Sequence, residues 1–212
     1  ATLIPANESV REYCRVTGQI LPEIRFEVNL PTSWNRRFYM YGNGGYAGNP
    51  VDAPERAGAR NDQVSRGFAT AGSDTGHQAA LEPWASFAVN RQKLLDYGFR
   101  SLHVTAETAK TLIAAYYGVK PVRSYFESCS NGGRQAMMLA QRFPEDFDGI
   151  IAGAPAMDFT GTMLRFTCTA QALAAAPIPY AKLTILSDRI YELCDAKDGV
   201  KDGEDRQSRR PS

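Results

Sequence analysis

Residues 124 to 136 read Ser-Tyr-Phe-Glu-Ser-Cys-Ser-Asn-Gly-Gly-Arg-Gln-Ala. The β-forming pair Tyr125 and Phe126 opens this stretch, and apolar residues recur at helical spacing after it. Those residues are Ala136, Met137, Leu139, Ala140 and Phe143, with Pro144 just past them. The pattern predicts a strand, a tight turn that carries Ser130, and a helix that begins directly behind that serine.

A serine on such a turn has a strained backbone and a projecting hydroxyl, which is the layout of a nucleophile elbow. The crowded backbone requires small residues two positions before and two after it, here Ser128 and Gly132. The Gly-x-Ser-x-Gly pattern is therefore broken at its first glycine, where serine is close to the smallest alternative. The motif indicates a serine hydrolase with Ser130 as nucleophile. The alternative is an ordinary strand-to-helix turn with a serine N-cap.

Two backbone N–H groups are candidates to stabilise negative charge beside Ser130. The predicted helix would present its free N–H groups there, and the N–H of Asn131 is the natural first donor of an oxyanion hole. A second donor is expected from residues 42 to 48, Gly-Asn-Gly-Gly-Tyr-Ala-Gly, which follow a probable strand. Gly44 or Gly45 fits that role. Glycine pairs also occur in turns of every kind, and no Gly-Lys-Ser/Thr follows to indicate phosphate binding.

Strand and helix patterns alternate from about residue 64, which favours a parallel sheet with right-handed crossovers. Antiparallel strands are predicted upstream at residues 24–30 and 37–41. Buried strands are predicted at 68–72, 124–128 and 149–152, and helices near 92–97, 104–117 and 134–143. Residues 157–176 and 181–193 look helical without another strong strand. The prediction is an α/β protein with a core over residues 1–156 and a second domain beginning over residues 157–212.

Composition agrees with a globular enzyme. Hydrophobic residues make up 43% and charged residues 22% of 212 residues, enough to bury a sizeable core. The formal net charge is +1, and the basic residues are scattered, so nucleic acid is not an expected partner. No apolar run approaches the roughly 20 residues that span a bilayer, so no membrane association is expected.

Several segments in order along the chain resemble the tannase and feruloyl esterase family. They are Cys-Arg-Val-Thr-Gly (14 to 18), Leu-Pro-Thr-Ser-Trp-Asn-Arg-Arg-Phe (30 to 38), Gly-Asn-Gly-Gly-Tyr-Ala-Gly (42 to 48), Asp-Tyr-Gly-Phe-Arg-Ser-Leu-His (96 to 103), Cys-Ser-Asn-Gly-Gly-Arg-Gln (129 to 135) and Pro-Glu-Asp-Phe-Asp-Gly-Ile-Ile-Ala-Gly-Ala-Pro-Ala (144 to 156). The resemblance implies a secreted or periplasmic α/β-hydrolase with a lid domain, one that cleaves small aromatic carboxylic esters. By position it makes Ser130 the nucleophile, Gly44 and Asn131 the oxyanion donors, and Cys129 one half of a disulfide beside the active site.

The general base is the missing component of this prediction. The α/β-hydrolases order their triad as serine, acid and histidine, whereas His77 and His103 both precede Ser130. We therefore expect this chain to be the N-terminal portion of a longer hydrolase whose C-terminal part completes the site. A rearranged triad with an upstream histidine stays open, because unrelated serine enzymes place histidine first. His103 lies in a helical pattern that suggests packing, and His77 follows a strand near the expected functional edge.

A glycine-punctuated acidic loop ends the informative part of the sequence. Residues 194 to 204 read Cys-Asp-Ala-Lys-Asp-Gly-Val-Lys-Asp-Gly-Glu, and calcium prefers oxygen ligands from such loops. The spacing is not that of an EF-hand, and a solvated acidic turn is the alternative. The family resemblance implies a structural calcium ion in the lid. Its ligands would be the side chains of Asp195, Asp198 and Asp202 and the carbonyls of Val200 and Glu204.

The function expected from these features is a serine ester hydrolase that acts on galloyl- or feruloyl-type esters through an acyl-enzyme. The alternative is a catalytically incompetent, calcium-braced fragment that binds a ligand or a partner chain. By resemblance, the cysteines at positions 14, 129, 168 and 194 are disulfide halves. Pairing among themselves would allow three connectivities, and the sequence does not choose among them.

Overall fold

The computed structural model describes residues 1–199, and within them a single sheet of seven strands forms the centre of the fold. The strands are β1 (Thr2–Ile4), β2 (Tyr13–Ile20), β3 (Ile24–Pro31), β4 (Arg37–Tyr41), β5 (Ala69–Ser73), β6 (Arg123–Cys129) and β7 (Gly149–Gly153). Their order across the sheet is β1-β2-β3-β5-β4-β6-β7. The last four strands in that order are parallel to one another, as the alternating pattern predicts.

The amino-terminal strands form an antiparallel extension of this parallel sheet. Strands β1, β2 and β3 pair antiparallel in sequence order, and β3 pairs antiparallel with β5. The prediction of a second antiparallel strand at residues 37–41 is wrong in direction, although its bounds are those of β4. Because β5 lies between β3 and β4, these two consecutive strands form no hairpin, and β4 has parallel neighbours on both sides.

Helices follow the strands of the parallel sheet. They are α1 (Pro54–Ser65), α2 (Arg91–Leu95), α3 (Ser101–Tyr117), α4 (Asn131–Arg142), α5 (Phe159–Ala175) and α6 (Tyr180–Cys194). A π-helical turn at Asp96–Arg100 joins α2 to α3, and 3₁₀ turns occur at Ser86–Val89, Pro144–Asp146 and Asp195–Asp198. Among the described residues, no helix is long and apolar enough to cross a membrane.

The chain divides into two compact units, Ala1–Phe159 and a second that begins at Thr160. The whole sheet and helices α1 to α4 belong to the first unit. The described part of the second unit consists of α5 from Thr160 onward, α6 and the 3₁₀ turn that follows it.

The apolar core lies between one face of the sheet and helices α3 and α4. Strand residues Val28, Met40 and Phe126 pack there against Ile113 of α3 and Leu139 of α4, and all five are buried. Burial of each such side chain stabilises the fold by roughly 1.5–3 kcal/mol. This packing fixes α4 against β6, and thereby fixes the turn that joins them.

The opposite face of the sheet, under α1, is buried but partly polar. Glu27 of β3 is fully buried; its carboxylate accepts a hydrogen bond of 2.5 Å from the Tyr41 hydroxyl and lies 3.5 Å from Arg60 of α1. Burial, and then the charge of Glu27, raise the pKa of Tyr41 well above its ordinary value. Helix α1 is therefore held by a buried ion pair as well as by Val64, which packs with Val10 and Tyr13 in a small separate cluster.

A buried carboxyl group ties the end of β5 to the start of β3. Asp74 Oδ1 accepts hydrogen bonds from the backbone N–H groups of Arg25, at 3.0 Å, and Gly76, at 2.8 Å. Burial raises the pKa of Asp74 from 3.8 to about 6, and the two backbone hydrogen bonds oppose that rise. Between about pH 4 and pH 6, Asp74 therefore keeps its proton in the folded state, whereas the same side chain has lost its proton in the unfolded chain.

This linkage predicts that Asp74 makes the protein less stable as the pH rises from 4 to 6. The stabilisation from the protonated Asp74 is fully present below about pH 4. The unfolding free energy then declines by up to about 3 kcal/mol by pH 6. The variant Asp74→Asn keeps the oxygen acceptor but cannot titrate. The measurement is the difference in unfolding free energy between the two proteins, by urea denaturation at each pH. A difference that stays constant from pH 4 to 6 would contradict the prediction.

Candidate active site

Ser130 lies between the last residue of β6 and the first residue of α4, in a backbone conformation that non-glycine residues seldom adopt. Its φ is 62° and its ψ is −123°, and its side chain is exposed. The hydroxyl makes no capping hydrogen bond to α4. Ser130 thus occupies the N-cap position of α4 without capping the helix through its side chain, and the turn has the geometry of a nucleophile elbow.

Backbone hydrogen bonds hold the elbow from both sides. The N–H of Ser130 donates to the carbonyl of Gly153 at the end of β7, at 3.0 Å. The carbonyl of Ser130 accepts from the N–H of Arg134, at 3.0 Å, and from the N–H of Ala156, at 3.2 Å. The strained residue is thus fixed by its own helix and by the segment after the neighbouring parallel strand.

Close contacts with neighbouring strand and loop residues explain the glycines that follow Ser130. A Cβ atom at Gly132 would overlap Ser128 Oγ and lie 2.5 Å from Ser128 Cβ. A Cβ atom at Gly133 would overlap the carbonyl of Gly153 and lie 2.8 Å from Pro155 Cα. Position 132 therefore requires glycine as long as position 128 carries a side chain, which is the steric rule expected from the sequence.

The glycine-rich loop after β4 contacts the first turn of α4. The side-chain Nδ2 of Asn131 donates to the carbonyl of Asn43, at 3.1 Å, and the N–H of Asn43 donates to Oε1 of Gln135, at 2.8 Å. A Cβ atom at Gly44 would meet nothing within 4 Å, so this residue faces open space. The structure thus brings Ser130, Asn131 and the loop that contains Gly44 to the same edge of the sheet.

A polar network that sequence analysis did not assign lies behind the elbow. Oδ1 of Asn131 accepts from Nε of Arg134, at 2.7 Å, and the Tyr97 hydroxyl lies 3.1 Å from both that oxygen and the Gly45 carbonyl oxygen. Burial raises the pKa of Tyr97 to about 12 and lowers that of Arg134, whose guanidinium lies 4.9 Å from the centre of the Tyr97 ring. Tyr97 lies 34 positions from Asn131 in the sequence, so no local pattern indicates their contact.

His77 lies beneath the protein surface, packed among aromatic side chains. It is 2% exposed, and its ring stacks on Phe87 with centroids 3.9 Å apart. Burial lowers its pKa, opposed by a hydrogen bond to the backbone of Tyr46. A cation is therefore disfavoured at this position, and the ring serves as packing under the glycine-rich loop.

His103 lies beside the carboxyl end of α4, whereas Ser130 lies at its amino end. It stacks on Phe143, with centroids 4.0 Å apart, and its Nδ1 lies 2.8 Å from the carboxylate of Asp146. Phe143 follows the last residue of α4, whereas Ser130 precedes the first, and a helix of that length is about 18 Å long. His103 therefore cannot reach Ser130, in agreement with the packing role suggested by its helical pattern.

The remaining predicted site residues are only partly within the described chain. Cys129 is exposed at the end of β6, and none of the four cysteines is bonded to another. Asp195 is buried and begins the 3₁₀ turn that ends at Asp198. The other predicted calcium ligands, Val200, Asp202 and Glu204, lie outside the described residues. Within residues 1–199, no group of three or more His, Cys, Asp and Glu side chains is placed to hold a metal. The calcium site stays a prediction.

Comparison with known proteins identifies the family. The family model described as "Tannase and feruloyl esterase" matches residues 8–210. The chain belongs to the tannase and feruloyl esterase family. Its relatives include an uncharacterized esterase of Agrobacterium fabrum, 37% identical over 96% of this chain, and the mono(2-hydroxyethyl) terephthalate hydrolase of Piscinibacter sakaiensis, 34% identical over 91%. The chain spans 40% and 37% of the length of these two relatives.

Solved structures of this family share the fold. The crystal structure of feruloyl esterase B from Aspergillus oryzae matches the whole chain with a TM-score of 0.82 at 30% identity, over 45% of that protein's length. Tannin acyl hydrolase from Aspergillus niger matches 95% of the chain with a TM-score of 0.69 at 25% identity, over 40% of its length. The predicted α/β-hydrolase fold is confirmed.

The contact between positions 128 and 132 gives a test of the elbow geometry. Gly132→Ala should destabilise the protein by about 1–3 kcal/mol, because its methyl group overlaps the Ser128 side chain. Adding Ser128→Gly should restore most of that loss, since the nearest remaining atom, the Asn43 carbonyl oxygen, is 3.4 Å away. Thermal unfolding of the single and double variants measures both effects.

Gly58→Ala is the matched control, because a Cβ atom there meets nothing within 4 Å in the interior of α1. It should leave stability unchanged or raise it by up to about 1 kcal/mol. Strictly additive effects of Gly132→Ala and Ser128→Gly would mean that the two positions are not in contact.

Proposed function

We propose that this chain carries the nucleophile and the oxyanion donors of a serine carboxylic ester hydrolase. The observation that supports this most strongly is the strained and exposed conformation of Ser130 at the amino end of α4. A hydroxyl in this position lies beside N–H groups that have no partner within the helix, so negative charge is favoured there. The esterase names of the relatives agree with this chemistry.

The proposed reaction is a two-step acyl transfer. A general base takes the proton of the Ser130 hydroxyl while Oγ forms a bond to the ester carbonyl carbon. The carbonyl oxygen becomes negative and is held by the N–H groups of Gly44 and Asn131. Collapse of this intermediate breaks the bond to the alcohol, which leaves with the proton from the base. Water then attacks the acyl-enzyme in the same way and releases the carboxylic acid.

We propose that the general base is a histidine outside these 212 residues, contributed by a C-terminal part of the enzyme. His77 is buried and stacked on Phe87, and His103 lies about one helix length, roughly 18 Å, from the elbow. These are the only histidines of the chain. Exposed Cys129, next to Ser130, is proposed to form a disulfide with a cysteine of that same part.

The proposed substrates are esters of small aromatic acids. Relatives of this chain are named feruloyl esterase and mono(2-hydroxyethyl) terephthalate hydrolase. Tyr46, two residues after Gly44, packs edge-on against Phe159, at 5.7 Å, and against Trp84, at 6.4 Å. Trp84 is 78% exposed, so an aromatic surface adjoins the glycine-rich loop. Such a surface favours a planar aromatic acyl group.

Calcium and the cellular compartment extend the proposal. The carboxylates of Asp195, Asp198 and Asp202 offer the hard oxygen ligands that calcium prefers, and the ion would brace the lid without taking part in the reaction. A secreted or periplasmic location would suit the proposed disulfides.

The proposal predicts that Ser130→Ala abolishes activity in the complete gene product. Hydrolysis of an aryl ester such as p-nitrophenyl acetate should fall on the order of 10⁴- to 10⁶-fold in kcat, because the nucleophile is removed. Ser33→Ala, at an exposed serine before the amino end of β4 and so at the opposite edge of the parallel sheet from Ser130, is the control and should retain wild-type activity. Wild-type hydrolysis by Ser130→Ala would overturn the assignment.

The 212-residue chain tested alone separates the remaining alternatives. Activity without further residues would show that the base lies within this chain, and His77→Ala would then be the deciding variant. Activity that needs the C-terminal part of the gene product supports the proposed base. Inactivity in both forms would favour a calcium-braced module that binds a ligand or partner and performs no hydrolysis.

A further inference from the structure

The peptide unit between Asn43 and Gly44 is held at its carbonyl end. The Asn43 carbonyl accepts a hydrogen bond of 3.1 Å from Nδ2 of Asn131, whose side chain is 1% exposed. In a trans peptide the carbonyl and the following N–H point in opposite directions. Because the Asn43 carbonyl points to the buried Asn131 side chain, the Gly44 N–H points away from that side chain.

The hydrogen-bonding partners of Asn131 determine which way its side-chain amide faces. Arg134 Nε donates to it at 2.7 Å, and a guanidinium can only donate, so the oxygen of the amide must face Arg134. The carbonyl of Asn43 can only accept, so the NH₂ group must face Asn43. The Tyr97 hydroxyl lies 3.1 Å from this oxygen and 3.1 Å from the Gly45 carbonyl oxygen, and its single proton can be donated to either. The amide of Asn131 therefore has one orientation that satisfies every partner.

A second side chain of α4 holds the preceding peptide unit. Gln135 is fully buried, and its Oε1 accepts the Asn43 N–H at 2.8 Å. Residues 131 and 135 are four apart and lie on the same face of the helix. The Asn43 side chain also donates to the carbonyl of Ser73, at 2.8 Å. Residue 43 is thus fixed by its N–H, its carbonyl and its side chain. Because the Asn43 carbonyl and the Gly44 N–H share one peptide plane, the direction of the Gly44 N–H is fixed as well.

We propose that Asn131 acts twice in ester hydrolysis, as an oxyanion donor through its backbone N–H and as a positioning residue through its side chain. The side chain sets the orientation of the Asn43–Gly44 peptide unit and so aims the second N–H donor. Arg134 orients the amide of Asn131 for this purpose. The inference rests on the proposed function, since it concerns the same oxyanion site.

Two variants of Asn131 test this role because both retain the backbone N–H. Asn131→Ala removes the hydrogen bond from the Asn131 side chain to the Asn43 carbonyl. Asn131→Asp removes the same hydrogen bond and also places a carboxylate against that carbonyl. Loss of a complete oxyanion donor lowers the rate by about 100- to 1000-fold. We expect kcat for p-nitrophenyl acetate in the complete gene product to fall about 10- to 100-fold in Asn131→Ala and further in Asn131→Asp. KM should stay within about threefold, because the ester is uncharged before attack.

Asn90→Asp is the matched control. Its side-chain oxygen accepts the N–H groups of Gln92 and Lys93 at the start of α2, and aspartate keeps that acceptor. This variant should retain wild-type kcat and KM. Kinetics are measured below each variant's unfolding temperature, so that a loss of folded protein is not read as a loss of kcat.

A crystal structure of Asn131→Asp supplies a readout that does not depend on activity. We expect the Asn43–Gly44 peptide unit to be rotated, with its carbonyl no longer facing position 131. Wild-type kcat in both Asn131 variants, with Ser130→Ala inactive, would overturn this inference and leave the proposed function intact. If Ser130→Ala were active, the proposed function would fail. Separately, an unrotated Asn43–Gly44 peptide unit in the Asn131→Asp crystal structure would show that the Asn131 side chain does not set the orientation of that unit. If neither variant folds, Arg134→Met replaces them because it removes the donor that orients the Asn131 amide, and its unchanged kcat would count against the inference.

Discussion

The sharp turn at Ser130 is the constraint on which the other features of this site depend. A positive φ at a non-glycine residue costs of order 1–3 kcal/mol and persists only where the surroundings hold it. Here the surroundings are the β7 segment that bonds both sides of the elbow and the glycines at 132 and 133, which allow α4 to approach β6 and β7. The apolar contacts of α4 with the sheet stabilise this approach.

The same helix organises the second half of the candidate site. Its first turn carries Asn131, whose side chain reaches the loop after β4, and one turn later Gln135 reaches the same residue of that loop. A single rigid element therefore positions the candidate nucleophile and both candidate oxyanion donors. Sites held by such elements keep their geometry better than sites built from free loops.

The sequence predicted the parallel part of the fold well because its signals are local. Strands β4, β6 and β7 and helix α4 carry apolar runs or helical periodicity bounded by glycine and proline, and their positions agree with the prediction to within three residues. The sequence of helix α1 shows no such apolar periodicity, because the helix buries the charged Arg60 against Glu27 and not a continuous stripe of apolar side chains. Strand β2 has no clear alternation, and β4 was given the wrong direction because the insertion of β5 beside it is a long-range event.

The candidate site was predictable in its motif and not in its support. Small residues around Ser130 and the glycines after β4 are visible in the sequence, and their steric reason is the one that the structure provides. The contacts of Asn131, Gln135 and Tyr97 join residues 34 to 92 positions apart, which no local pattern reveals. The burial of His77 likewise follows from its stacking on Phe87, not from its position after a strand.

Trapping the acyl-enzyme tests the central claim most directly. The complete gene product is mixed with an aryl ester, quenched in acid during turnover and analysed by peptide mapping with mass spectrometry. The account predicts an acyl group on the Ser130 hydroxyl, in the peptide that joins β6 to α4. Two results would contradict this account. One is steady turnover with the acyl group on another residue, and the other is steady turnover with no covalent adduct when deacylation limits the rate.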